Sequence, residues 1–589
     1  MPRGQNSGPG GGRNAEGGAQ CSYRRFSAGK RLGFARRWRA ACRLAIAIPV
    51  IFLSVAAIAA EPIPSSVDPG QIDKRLRERP RLREREGPEI QRPEFAPGVA
   101  PKAEVSFVLN DVKIEGATVY APAEFKPLYQ DLLGHEVRLS DIAAVAKKIT
   151  ERYQADGYVL SKAVAGEGNP ADGIATIRAI EGYIGKVSIE GEVEGDKDLL
   201  TDYGDKIAAD RPTRTSNLER YVLLISDLPG VTVRPFLEPV DLGSGEYKLI
   251  LAMQQRSIAA SAQIDNRGSN FVGPYELWLG GAFNSMFGLY ETTHLQFVTT
   301  PDTGELVFGG GSYSQPIGSD GMTATIDGSY NADAPGFTLA PIDIHSHALS
   351  GDIQVAYPLI RSRHLDLYTT GRFSYRDSVS DHASVRAFDD RLRVIRAGTV
   401  VSFDDGISGR DSLSAEVSQG LDILGATKSN SLAVSSPGAD AGFEKVTIDF
   451  SRYQRIEDNW GLLVLATGQK ATGRLLSPEQ IGLGGERFGR AYDASEIAGA
   501  DGLAGRAEIQ RDFWLQDFPI TQLQLYTYYD IGSVWEPGPQ SLSSVGGGVR
   551  AQITHGIFAY IEGAKPLTRS VLGEGNKDPR FFFVVRSDF

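Results

Sequence analysis

After Ser257 the chain repeats one pattern to its end: apolar and polar residues alternate in short runs. In HLDLYTTGRFSY, Leu365, Leu367, Phe373 and Tyr375 alternate with Asp366, Thr370, Arg372 and Ser374. In TATIDGSYN, Ala324, Ile326 and Tyr330 alternate with Thr325, Asp327, Ser329 and Asn331. QLQLYTYYDIGSV sets Leu523, Leu525, Tyr529 and Ile531 against Gln522, Gln524, Tyr528 and Asp530. A period of two gives each segment two faces of opposite polarity, which is a strand pattern. Turn signals separate the runs: DTGE, SDG, NADAPG, EPGP and EGNKD. The pattern fits a transmembrane antiparallel β-barrel with an apolar outside and a polar lumen, and residues 257–589 have room for roughly sixteen strands at about twenty residues per strand and loop. A soluble sandwich or propeller alternates in the same way, so periodicity alone leaves both classes open.

The N-terminus narrows the choice. Residues 24–43 are strongly basic, and Leu44 to Ala60 is an uncharged apolar run that ends in small residues. Ala57 and Ala59 form an A-x-A site, so residues 1–60 read as a secretory signal peptide. A membrane anchor would need about twenty apolar residues, more than this run supplies. Both cysteines, Cys21 and Cys42, precede the cleavage site, so the exported chain carries no disulfide and no thiol chemistry. No later run is long and apolar enough for a membrane helix. An exported chain of this kind is either soluble or a barrel. The last residues, FFFVVRSDF, put Phe581, Phe583, Val585 and Phe589 on one face. This looks like the terminal strand read by the outer-membrane assembly machinery, with Phe589 as its signal. The net charge of -11 argues against nucleic acid as a partner.

Residues 61–104 are rich in Pro, Arg and Glu. DPGQIDKRLRER predicts one short helix, roughly Asp68 to Arg79, stopped by Pro80, followed by an extended linker. Residues 105–256 contain a repeat: VKIEG begins at Val112 and VSIEG at Val187, each opening a β-α-α-β-β pattern. In the first copy Ile142, Val145, Ile149 and Tyr153 share a helical face, with Ser140 as expected N-cap and Gly157 as stop. In the second, Ser216 and Glu219 read as a capping box before Leu218, Tyr221, Val222 and Ile225. The sequence thus divides into 105–183, 184–256 and 257–589. A small sheet with helices on one face leaves a strand edge open for a partner.

ITERYQADGYVLSKAV, EGYIGKVSIEG and LISDLPGV resemble tandem POTRA domains of the two-partner secretion transporters, the TpsB family to which FhaC, ShlB and HecB belong. DPGQIDKRL resembles that family's plug-helix segment, and DNRGS (Asp265 to Ser269) its first barrel strand. LLSPEQIGLGGERFGRAYD resembles the segment leading into the sixth extracellular loop of the wider Omp85 superfamily, whose hallmark is V-R-G-Y. Arg490 and Tyr492 match; Gly489 stands for valine and Ala491 for glycine. The family's partner motif, aromatic-x-D-x-G on a lumen-facing strand, matches Tyr528, Asp530 and Gly532. The resemblance implies a bidentate Arg490–Asp530 pair in the lumen.

Other chemistry finds little support. Gly484 and Gly489 have phosphate-loop spacing, but Arg490 and Ala491 follow where Lys and Ser/Thr are needed, and no βαβ context surrounds them. Asp343, His345 and His347 share one strand face, without a fourth metal ligand, and read as polar lumen or rim residues. No nucleophile–base signature appears, so neither an enzyme nor a cofactor is expected. The resemblance implies an outer-membrane translocator that exports, or exports and activates, a large haemolysin- or adhesin-type exoprotein. Its POTRA domains would lie in the periplasm; its partners would be that exoprotein, outer-membrane lipid and, during biogenesis, the barrel-assembly machinery. The alternatives are a BamA- or TamA-type assembly factor, a passive porin and a secreted soluble β-enzyme.

Overall fold

The computed structural model of the protein describes residues 63–77, 88, 106–166, 170–241, 243–516, 519–554 and 556–589. The expected leader, and the linker beyond Arg77 apart from Pro88, lie outside these residues. No described helix is long and apolar enough to cross a membrane.

Sixteen antiparallel strands close into a barrel, from Ile258–Asp265 to Arg580–Asp588. Each strand pairs with its neighbour in chain order, and the last pairs with the first from Val584↔Asp265 to Asp588↔Ser261. Phe589 completes the seam, where its amide donates to the Ala260 carbonyl (2.8 Å) and its carbonyl accepts from the Ala260 amide (3.2 Å). Closure leaves no strand edge in the hydrocarbon, where an unpaired peptide group would have no water to turn to.

The alternation read from the sequence becomes inside and outside. Ile326, Tyr330, Leu349, Ile353, Leu525 and Ile531 are exposed on the outer face, while Ser329, Asn331, Asp352, Tyr526, Tyr528 and Asp530 are buried inside. Phe581, Val585 and Phe589 are likewise exposed, as the terminal pattern requires. His345 and His347 belong to the outer face of the strand Ile344–Arg361, not to the lumen. Asp343 precedes that strand in a left-handed conformation (φ 53°), and no group of three metal-ligating side chains occurs among the described residues.

The lumen residues are buried because two segments fill the interior. The first is helix α1 (Pro69–Arg77), whose N-terminal amides at Gly70 and Gln71 donate to the Asp68 carboxylate at 2.9 and 3.1 Å. Arg75 forms a two-pronged pair with Glu276 (2.7 and 3.1 Å), and Arg77 pairs with Asp327 and Asp352. Asp73 accepts from the hydroxyls of Ser329 (2.6 Å) and Ser350 (2.7 Å). The second segment, residues 472–501, connects two barrel strands, folds inward and carries its own small ladder of Ile481–Leu483 with Ile497–Gly499.

Before the barrel stand two α+β units of like build. In the first, Asp111–Glu115 runs parallel to Ile174–Ile180, which pairs antiparallel with Lys162–Ala165. In the second, Tyr183–Glu190 runs parallel to Glu246–Gln255, which pairs antiparallel with Val231–Asp241. Helix α2 (Leu139–Ala155) covers the first sheet, and α3 (Lys197–Ala208) and α4 (Thr215–Ser226) the second. The expected first helix of unit one is instead two 3-10 turns, because Pro127 interrupts the α-helical ladder. The caps also differ from expectation. Ser140 lies inside α2, and the Asp141 carboxylate accepts from the Arg138 amide (2.8 Å). Ser216 lies inside α4, and the preceding Arg214 amide donates to Asp210 (2.8 Å).

Unit two rests on the turns at one end of the barrel. Asp227 accepts two bonds from Arg361 (2.8 and 2.9 Å), and Lys206 donates to the Ser319 carbonyl (2.7 Å) and Asp320 (2.6 Å). Tyr290, from the turn between the second and third barrel strands, is buried in the apolar core of unit two.

Glu181, between the last strand of unit one and the first of unit two, ties this joint back onto unit one. Its carboxylate accepts from the amides of Thr118 (2.7 Å) and Val119 (2.9 Å), the Thr118 hydroxyl and the Tyr153 hydroxyl (2.7 Å). Burial pushes the carboxyl pKa up, but these donors outweigh it and leave it below the ordinary 4.5. A depressed folded-state pKa stabilises the joint above the unfolded value, and that contribution fades as pH falls through the folded value. Acidifying below 4.5 should therefore loosen the joint, and Glu181→Gln should flatten the response. Limited proteolysis across residues 156–182 over a pH series reads both.

Candidate functional site

The inward loop is anchored at its tip. From Gly484 to Tyr492 the chain turns on itself: the Gly484 amide donates to the Phe488 carbonyl (3.0 Å), Gly485 to Tyr492 (3.1 Å) and Tyr492 to Gly489 (2.9 Å). Two glycines make this possible. Gly484 has φ 123° and a Cβ there would stand 2.1 Å from the Asp493 carbonyl; Gly489 has φ 78° and a Cβ would stand 2.6 Å from Leu542. Ala491 is absent from the positive-φ positions, so the tip tolerates alanine where the family motif has glycine.

This turn presents Arg490, only 3% exposed, to three buried carboxylates on three strands. Its Nη1 donates to Glu562 Oε2 (3.2 Å). Its Nη2 stands 2.8 Å from Glu508 Oε2, at ion-pair distance but off the line of a hydrogen bond. Its Nε lies 3.6 Å from Asp530 Oδ2. The guanidinium also stacks over Tyr528, 3.1 Å from the ring centre.

Arg490 and Asp530 thus meet, but the expected bidentate pair is not what forms. Asp530 Oδ2 instead accepts the backbone amides of Gly489 (3.1 Å) and Arg490 (2.9 Å). The carboxylate caps the turn, while the guanidinium reaches past it to Glu508 and Glu562. The reason is geometric: tip amides and side chain approach the wall together, and the amides occupy the nearer oxygen.

The remaining charges are compensated. Arg550 pairs with Glu508 (2.7 Å), and Arg267, from the DNRGS stretch, with Glu562 (2.7 Å). Arg267 also donates to the Arg490 carbonyl (3.2 Å). The hydroxyls of Tyr526 and Tyr528 donate to Glu562 at 2.8 and 3.0 Å. Tyr492 sends its hydroxyl to the Ser543 carbonyl (3.1 Å), fixing the far side of the tip. Gly532 leaves room for Leu483, because a Cβ there would meet Leu483 Cδ1 at 2.8 Å. Phe589 lies apart from this cluster, at the barrel seam. Sequence reading missed Glu508, Glu562 and Arg267. Glu508 and Glu562 occupy polar positions of alternating strands, a signal shared with many other lumen residues.

The family of haemolysin secretion/activation proteins ShlB/FhaC/HecB matches residues 246–551, and the ShlB-type POTRA domain matches residues 107–182. The chain is similar to the heme/hemopexin transporter protein HuxB of Haemophilus influenzae strain 86-028NP, at 21% identity over 82% of this chain and 87% of HuxB. It is similar to the outer membrane transporter CdiB of Escherichia coli O6:K15:H31, at 22% identity over 68% of each. Among solved structures, CdiB from Escherichia coli matches with a TM-score of 0.71 at 19% identity, covering 90% of this chain and 99% of that one. CdiB from Acinetobacter baumannii matches with a TM-score of 0.59 at 15% identity, over 88% and 96%. These two likenesses bear on fold.

Removing the Arg490 guanidinium leaves three buried carboxylates short of their shared cation, and breaking a buried pair in this way costs about 3–5 kcal/mol. Arg490→Ala should lower the temperature at which the barrel loses its compact mobility in SDS gels. Because Asp530 acts mainly as an acceptor for two amides, Asp530→Asn should lower that temperature less than Asp530→Ala.

Proposed function

The chain belongs to the haemolysin secretion/activation family ShlB/FhaC/HecB, and from that premise we propose how its parts divide the work of export. It is an outer-membrane translocator of a two-partner secretion system, with its POTRA units in the periplasm. In the proposed mechanism the POTRA units take up an unfolded exoprotein of the haemolysin or adhesin type by adding one of its strands to a sheet edge. Pro235 and Pro239 interrupt one of the two edge strands of the second sheet, which leaves its other edge, Tyr183–Glu190, and the edges of the first sheet for strand addition. The exoprotein then passes through the lumen as an extended chain. Helix α1 acts as the plug, and the loop 472–501 is the element that rearranges around the passing chain. Phe589 serves the barrel-assembly machinery during biogenesis.

One observation carries this reading: both segments that fill the lumen set charged side chains against charged partners on the wall, beside the apolar contacts of Ile72, Leu76, Leu483 and Phe488. Arg75, Arg77 and Arg490 meet carboxylates of the wall, and water or a polar chain can replace such contacts once the pore hydrates. The working division is 61–104 for plug segment and linker, 105–183 and 184–256 for the POTRA units, and 257–589 for the barrel. Strand ends at Ile180, Gln255 and Ile258 support it. Two POTRA units among the described residues favour export over barrel assembly, and a passive pore has no use for them. The family is one of transporters, and we assign no catalytic role to any residue.

Export is tested in cells that carry the cognate exoprotein. Arg490→Ala and Asp530→Ala should each reduce the exoprotein in the medium at equal abundance of folded barrel, and deletion of residues 105–256 should abolish its appearance. Normal export by both point variants would contradict the role given to the loop tip.

A further inference from the structure

The loop 472–501 has a second anchor, on another part of the wall from the first. Glu479, in the 3-10 turn Ser477–Glu479, is 1% exposed and lies between two buried cations. Its Oε1 accepts from Arg396 Nη2 (2.5 Å), and its Oε2 lies 2.6 Å from Lys445 Nζ. The Glu479 carbonyl accepts from Lys445 Nζ and Gln469 Nε2, both at 3.0 Å. Arg396 is itself fixed by the hydroxyls of Ser418 (2.8 Å) and Ser374 (3.3 Å). Carboxylate and backbone of one short turn are thus tied to the strands Val385–Asp404, Glu444–Glu457 and Trp460–Ala471.

The helix α1 hangs on this same turn. Gln71 Nε2 donates to the Ser477 carbonyl, and Lys74 Nζ donates to the Gln480 carbonyl (3.0 Å). Gly70 packs on Pro478 so closely that a Cβ there would lie 2.5 Å from Pro478 Cγ. None of these contacts involves a charge on the loop; they depend on where the backbone of residues 477–480 sits. Glu479 holds that position together with the Ser435 hydroxyl, which accepts from the Ser477 amide (2.9 Å). The Arg490 cluster does not supply it, because its partners lie on the strands Gly502–Trp514, Ile520–Val534 and Ile557–Pro566.

We propose that Glu479, held by Arg396 and Lys445, is the positioning residue for the plug: it fixes the carbonyls of Ser477 and Gln480 on which helix α1 is retained in the lumen. Release of this turn loosens the helix on its loop side, leaving the Ser495 hydroxyl bond to Gln71 Oε1 (2.9 Å), its ion pairs with the wall and the apolar contacts of Ile72 and Leu76. The Arg490 anchor, by contrast, holds the tip and touches no residue of the helix. This inference rests on the reading of α1 as the plug.

Single-channel recording of the purified full-length protein in planar bilayers tests it, with heat-modifiable gel mobility verifying that each variant is a folded barrel. Deleting residues 63–77 gives the fully unplugged conductance. Glu479→Gln should raise the fraction of time spent at that conductance by about tenfold or more, a shift of roughly 1.4 kcal/mol in a two-state equilibrium. Lys445→Met, which leaves the loop sequence intact, should act in the same direction and serves if Glu479→Gln folds poorly. In the Glu479→Gln background a Gly70→Cys/Pro478→Cys pair can be oxidised, since a Cβ at Gly70 would lie 3.0 Å from that of Pro478. Oxidation should return the pore to its closed level, and reduction should reopen it. If deletion of 63–77 leaves conductance unchanged, the plug reading itself fails and the latch with it. If that deletion opens the pore while Glu479→Gln and Lys445→Met do not, or if the cross-link fails to reclose it, the latch alone is overturned.

Discussion

Everything in this protein follows from having to satisfy each peptide group of a membrane-embedded sheet without water. A strand of the barrel can give and take hydrogen bonds only sideways, so the sheet must close, and it does so through the pairing of Arg580–Asp588 with Ile258–Asp265 and the exchange between Phe589 and Ala260. Closure fixes which face of every strand meets lipid. Ile326, Leu349 and Ile531 must then point out, and Ser329, Asp352 and Asp530 must point in. The interior becomes a largely polar tube, and any segment that fills it has to meet charges and hydroxyls beside a few apolar patches such as Trp278, Val298 and Leu542. That is why α1 carries Arg75 and Arg77, and why the loop brings Arg490 and Glu479.

The same constraint explains how charge is arranged inside. Arg490 faces Glu508, Asp530 and Glu562, and Arg550 and Arg267 neutralise two of these from the other side. Glu479 is matched by Arg396 and Lys445. Acid and base meet across contacts between different strands and the two inward segments. A tube lined in this way can exchange its internal ion pairs for water or for a passing polar chain at small net cost, because the loss of each pair is offset by rehydration of both partners.

Much of this was legible in the sequence, for identifiable reasons. Alternation reports the two faces of a strand directly, so inward Asp530 and outward Ile531 could be assigned from QLQLYTYYDIGSV alone. The repeat of VKIEG and VSIEG marked two units that share a sheet order. What could not be read was anything that depends on stagger between distant strands. Glu508 and Glu562 look like any other polar lumen residue; only the barrel's shear brings them to the tip of a loop that begins far away in sequence. The same holds for Arg267 and for Glu479, whose partners Arg396 and Lys445 lie on two different strands. The error over Arg490 and Asp530 is of a related kind. A motif can say that two residues meet, but not that two backbone amides occupy the carboxylate oxygen nearest the guanidinium. His345 and His347 face outward rather than into the lumen because the odd positions of Ile344–Arg361 alternate with inward Ser346, Ser350 and Asp352.

Where the exoprotein drives opening, its binding energy limits how firmly the pore can be closed. The closed state can be favoured over the open one by no more than the exoprotein's preference for the open one, and reversing a 99:1 ratio takes about 5.5 kcal/mol. Breaking one buried ion-pair cluster with nothing in exchange would already approach that figure, at about 3–5 kcal/mol. The tip cluster at Arg490, the turn at Glu479 and the wall pairs of α1 therefore cannot all be lost at once to a dry lumen. Opening has to proceed so that water or the incoming chain occupies each site as it is vacated. Unit two sits on the barrel turns through Asp227–Arg361 and Lys206–Asp320, with Tyr290 of the barrel buried in its core. Unit two thus stands beside the strands that carry Asp327 and Asp352, the partners of Arg77. Under the proposed mechanism, the order this favours is capture, then hydration from the periplasmic end, then release of the helix, with the Arg490 tip free to follow last.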